Sequence, residues 1–80
     1  MANITFEGME FEYDESAVRK YSVIKAMSNY QENPAAVFKA FELVFAGHDE
    51  EYAELLDDSI DKMAELFGAA MEQAGEDVKN

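Results

Sequence analysis

The sequence predicts a mainly α-helical fold, an N-terminal β-hairpin followed by a small bundle of about four helices. Three observations predict it. Residues 4–13 alternate apolar and polar about a Glu7-Gly8 pair, later apolar residues recur at three-to-four spacing, and cap-forming residues punctuate the stretches between. If Glu7-Gly8 makes the two-residue turn, Phe6 faces Met9, Ile4 faces Phe11 and Ala2 faces Tyr13. One side of the ribbon is then apolar throughout. Because an isolated hairpin is marginal in water, that side must lie on the helices or on another protein.

The first helix is expected from a cap at Asp14 or Ser16 to about Asn29, with Ala17 or Val18, Tyr21, Ile24 and Met27 or Ser28 along its inner side. Arg19, Lys20 and Lys25, half of the chain's six basic residues, lie largely off that side. A polar connection over 30–33 leads to Asn33-Pro34. That pair is a strong start signal, since Asn caps and Pro lacks only an N–H that the first turn would leave orphaned.

The second helix, over 34–46, is apolar nearly all round. Val37, Phe38, Phe41, Val44 and Phe45 form a broad stripe, Ala36, Ala40 and Leu43 widen it, and only Lys39 and Glu42 carry charge. Such a helix is central to a core or to an interface. Gly47 is placed to end it in the left-handed C′ conformation, and Asp49-Glu50-Glu51 then sits in the first turn of a short third helix over 49–56. Tyr52, Leu55 and Leu56 are its inward residues.

Asp57-Asp58-Ser59 breaks that helix and caps the last one, which runs from Ser59 or Ile60 to Ala74 with Ile60, Met63, Ala64, Phe67, Ala70, Met71 and Ala74 on one face. Gly75 closes it, leaving a frayed tail over 76–80. A mid-helix glycine costs about 1 kcal/mol relative to alanine, so Gly68 suggests a close helix approach, within the chain or to another. The whole reads as one domain over 1–80, with the hairpin in 1–13 and helices in 14–75.

Eighteen Asp and Glu oppose six Lys and Arg for a net charge of −12, and the excess is lopsided. Residues 1–47 carry a net −3, and residues 48–80 a net −9. Such a surface repels phosphates and anionic lipid, which argues against nucleic acid and membrane partners and favours basic ones. The plainer reading is that the acids are solvated helix faces keeping a sticky small protein soluble. With no Cys, no signal-peptide pattern and no long apolar run, the expectation is a soluble intracellular protein.

Nothing in the chain resembles a catalytic apparatus. His48 is the only histidine and follows the helix-stopping glycine, where a loop role suffices; no Gly-rich phosphate loop, Ser-centred elbow or hard-cation loop is present. No enzyme activity, cofactor or metal is expected. Asp58-Ser59-Ile60-Asp61 resembles the Asp-Ser-Leu site of acyl carrier proteins, but here only about twenty residues follow the serine where that family has two further helices. Asp58 and Ser59 read better as caps.

In order, the elements resemble the phage tail assembly chaperones of long-tailed, siphovirus-type phages. The opening ITFEGMEFEY hairpin, a capped helix bearing Tyr21, NPAAVFKAFELVFAG, DEEYAELLDD, DKMAELFGAAMEQAG and a Lys79-Asn80 end carry that resemblance. It implies a chaperone in the host cytoplasm that binds the tape measure protein and recruits tail tube subunits during tail morphogenesis. It also implies a longer frameshifted product in many members. Independently, Phe38, Phe41, Phe45, Met63, Phe67 and Met71 lie on helical faces that suit helix-in-groove contact with a partner, or self-association. The alternative from another class is an acidic inhibitor that mimics DNA charge, of the anti-restriction or anti-CRISPR type.

Overall fold

The computed structural model describes residues 1–29 and 32–78, with side chains as far as Gly75. Its elements are β1 (Ala2–Phe6), β2 (Met9–Tyr13), a single 3-10 turn at Ala17–Arg19, α1 (Tyr21–Ser28), α2 (Ala36–Val44), α3 (Asp49–Leu55) and α4 (Ile60–Val78). The hairpin has the expected antiparallel register, with Phe6 opposite Met9, Ile4 opposite Phe11 and Ala2 opposite Tyr13. Glu7 and Gly8 both take positive φ, 49° and 77°, as a two-residue turn matched to the twist of its strands requires.

The apolar side of the ribbon lies on the helices, where Ile4, Phe11 and Tyr13 join one buried cluster with residues of α1, α2, α3 and α4. Both edges of the ribbon are tied down as well. A two-residue turn closes on a hydrogen-bonded pair, so Asn3 and Glu12 aim their backbone groups outward. The Tyr52 hydroxyl donates to the Glu12 carbonyl (2.8 Å) and accepts from its N–H (3.2 Å), while the Gln73 amide donates to the Asn3 carbonyl and to the Tyr13 hydroxyl, both at 2.9 Å. Lys62 reaches Glu7 (3.6 Å) and Asp57 (3.1 Å), tethering the turn to the α3–α4 loop.

The first helical segment departs from expectation. Asp14 binds the N–H and hydroxyl of Ser16 in a local turn (3.0 and 2.6 Å), its own N–H donates to Val44 (2.7 Å), and extended Lys20 separates the 3-10 turn from α1. That break rephases the helix. Val23 and Ala26 are the buried residues of α1, whereas Tyr21 (79 % exposed), Ile24 and Met27 face outward. Small buried residues here let α1 lie close against α2, its main packing partner. Of the connection over 30–33, residues 30 and 31 lie outside the described residues.

Helices α2 and α3 end in the same way, each in two successive left-handed residues, Ala46 and Gly47 (φ 53° and 85°) in one and Asp57 and Asp58 (φ 62° and 56°) in the other. In α2 the N–H of Ala46 bonds Leu43 and that of Gly47 bonds Glu42, a Schellman pattern whose C′ residue is Ala46 (φ 53°). Gly47, expected at C′, follows it at C″. In α3 the Asp58 N–H bonds Ala53 (2.7 Å) with Asp57 at C′ (φ 62°). Leu55, expected inward, is 56 % exposed, and only Tyr52 and Leu56 of the predicted trio turn in.

Ser59 then caps α4 as anticipated, its hydroxyl accepting from the Lys62 N–H (3.2 Å). This helix does not stop at Gly75 but continues to Val78, so the tail expected to fray from residue 76 is helical that far; residues 79 and 80 lie outside the described residues. Buried Ala74 and the Gln73 bonds hold this end of α4 on the hairpin, which outweighs one glycine's helix penalty. The buried face of α4 is Met63, Leu66, Phe67, Ala70 and Ala74; the sequence pattern omitted Leu66 and included Ile60, which is 45 % exposed. No described helix is long and apolar enough to cross a membrane.

Candidate apolar docking track

Four of the six residues expected at a partner surface build the core. Phe41, Phe45, Met63 and Phe67 are all buried, Met71 is half-buried, and Phe38 alone stands out at 55 % exposure. They belong to a line of ring contacts crossing the molecule: Phe11 meets Tyr52 edge-on (4.9 Å between centroids), Tyr52 meets Phe45 (5.4 Å), Phe45 meets Phe41 (5.9 Å) and Phe41 meets Phe38 (6.4 Å). Three of these four pairs are edge-to-face and the Phe45–Phe41 pair is tilted; edge-to-face packing adds to simple area burial. The line starts under the hairpin and surfaces at Phe38.

The surface is hollowed twice along α2, once beside Phe38 and once beside Val37. A cleft of about 500 Å³ is floored by Phe38, Phe41, Ala53, Ile60 and Met63, and Glu42, Asp49, Glu50 and Asp58 stand at its edge. A smaller slot of about 220 Å³, lined by Met27, Val37, Phe41, Ala64, Phe67 and Gly68, is almost wholly apolar. Both hollows border Phe41 and both are lined from α2 and α4, so they lie along the same seam between those helices. Gly68 makes no close helix approach inside this chain. A Cβ placed on it would meet nothing within 4 Å, and the residue instead borders the open slot.

The carboxylates come together only through topology: Glu42 leaves α2, Asp49 and Glu50 open α3, and Asp58 sits in the loop before α4. Among the described residues, the ion pairs join Lys62 to Glu7 and Asp57, and no cation reaches these four acids. Part of their charge is offset locally, because Asp49 and Glu50 face the positive end of α3. His48 makes a 3.5 Å contact with Glu51 and stacks on Tyr52, which is the loop role expected of it. No metal-binding group of His, Cys, Asp or Glu occurs among the described residues.

Elsewhere, Tyr21 and Ile24 form a second exposed apolar patch, with Lys25 over the Tyr21 ring at 5.8 Å. Sequence reasoning placed these side chains in the core. What turns them outward is the extended backbone at Lys20, which ends the 3-10 turn and restarts the helix in a new phase, and no local residue pattern announces it.

No family model, curated protein or solved structure matches this chain.

Proposed function

We propose that this protein is a tail assembly chaperone of a long-tailed phage, which covers helical stretches of the tape measure protein and gathers tail tube subunits onto them in the host cytoplasm. The single observation that carries this reading is the apolar track centred on Phe38, left open on a small domain whose other aromatic residues are largely packed away. Exposed contiguous apolar surface rimmed by polar groups marks a protein-binding site, and a groove between helices suits an amphipathic helix. The resemblance in element order, acidity and length supplies the partner's identity. The chemistry is that of a holder, not an enzyme: it shields apolar stripes while its −12 charge keeps the complex dispersed.

Co-expression with the neighbouring genes tests this. A long helical tape measure protein retained through purification, and released when Phe38 is changed to Ser, is the expected result. The same charge that aids solubility favours the inhibitor reading. Recovery of a nuclease, lost in high salt and indifferent to Phe38, would replace the chaperone with a DNA mimic.

A further inference from the structure

The track has a chemistry of its own, and the inference drawn from it rests on the chaperone reading. We propose that it takes one face of a partner helix with a basic edge. An aliphatic side chain of that helix enters the slot over Gly68, neighbouring apolar side chains lie along Phe38 and Ile60, and Lys or Arg residues meet Glu42, Asp49, Glu50 and Asp58.

Three observations lead there. First, Gly68 sits in the interior of α4, where glycine weakens a helix, yet the space above it is empty, so packing within this chain does not demand it. What the missing side chain provides is depth in a slot walled by Met27, Val37, Phe41, Ala64 and Phe67, a lining that accepts hydrocarbon and nothing charged. Second, the larger cleft beside it is edged by four carboxylates that the described cations leave unpaired. Charge of one sign around an apolar floor attracts a basic helix and rejects an acidic one of the same apolar pattern. Third, both hollows are lined from α2 and α4 and border Phe41, so a single helix laid along that seam would meet both. Its stripe would be read at i, i+3 or i+4, and i+7.

The test uses the whole chain and two labelled synthetic helices with the same leucine stripe, one edged with lysine and the other with glutamate, titrated by fluorescence anisotropy. The lysine-edged helix is expected to bind at least about tenfold more tightly, the gap shrinking as salt rises from roughly 50 mM to roughly 0.5 M. Gly68→Leu fills the slot without changing charge and should weaken the lysine-edged helix about tenfold while the melting temperature holds or rises. Gly68→Ala, which projects less far, should weaken it less. Neutralising the rim with Glu42→Gln, Asp49→Asn, Glu50→Gln and Asp58→Asn should reduce the discrimination between the two helices several-fold.

Equal binding of both helices overturns the proposal. So does lysine-edged binding that ignores Gly68→Leu, because a nonspecific attraction to an acidic protein would behave that way. A third overturning result is concentration-dependent self-association that masks the track and disappears in Lys25→Glu, since the occupant would then be a second copy presenting Tyr21 and Ile24. The two levels separate cleanly. If the tape measure protein is captured but the lysine-edged helix is not, this inference fails and the chaperone reading stands; the reverse pattern keeps the basic-helix site and removes the phage partner.

Discussion

The two ends of the aromatic line are built from similar residues and finished in opposite ways. At the hairpin end, Phe11 and Tyr13 are fully buried, and the outward backbone groups of Asn3 and Glu12 are answered by Gln73 and Tyr52. At the other end, Phe38 and Ile60 stay half in water beside acids that lack partners among the described residues, and a helical glycine faces open space. The difference teaches where this chain spends its apolar material: one end serves folding, the other is left over. A small domain of 80 residues has little stability to spare, and the proposed binding role would account for apolar surface left open on it.

Replacing one aromatic residue at each end is the sharpest way to break the comparison. Phe45→Ala removes a fully buried ring that touches Tyr52, Phe41 and Phe67 and should cost about 3–5 kcal/mol, enough to leave much of the protein unfolded. Phe38→Ala loses one edge contact with Phe41 and should cost no more than about 1 kcal/mol in urea unfolding, while removing partner capture. Similar losses for both would show that the open end is as much a part of the fold as the closed one.

A smaller effect is expected from Tyr52→Phe, which keeps the ring against Phe11 and Phe45 but strands the Glu12 N–H and carbonyl. It should cost about 1–2 kcal/mol and speed amide exchange at Glu12. Ala46→Gly relieves a left-handed alanine at the C′ position of α2 and should raise stability by about 1 kcal/mol. It leaves both ends of the aromatic line untouched, so it offers a stabilised background on which Phe38 variants can be compared.

The closed end should also be the pH-sensitive one. Burial, against the opposing pull of its hydrogen bond to Glu12, pushes the Tyr52 phenol above its ordinary value, and Asp57 and Glu7 hold the Lys62 ammonium above its own. Groups whose folded pKa is raised contribute fully below their unfolded values and lose that contribution as pH rises through the folded ones. These two contributions should therefore be level up to about pH 10 and fall beyond it, with tyrosinate absorbance of Tyr52 rising as the hairpin loosens. A fall that Tyr52→Phe leaves unchanged would assign it to Lys62 and the turn instead.

The hairpin was legible to the residue because a two-residue turn dictates which side chains face each other, and Glu7-Gly8 is a local signal. The phase of α1 was not. It depends on Asp14 bonding both Ser16 and Val44, a tertiary tie that forces the chain to restart at Lys20. Gly75 misled for a related reason, since the Gln73 bonds that carry α4 onward reach a strand 70 residues away. Of the docking track, Phe38 could be named from sequence, but an apolar helix with hardly any polar side gives no sign of which residues face out, and the buried Phe41 and Phe45 look the same in one dimension. The acid rim was invisible because its four members come from three elements.

The occupied hairpin edges bear on how this molecule can meet other chains. Each five-residue strand has only two positions whose main-chain groups face away from its partner, and Tyr52 and Gln73 already engage one on either side. An incoming strand would find too short a ladder to climb, which closes off both sheet extension and the runaway stacking that bare ribbons invite. Under the proposed function, recognition would fall to side chains alone, a grip able to slide along a repetitive apolar rod without insisting on one address.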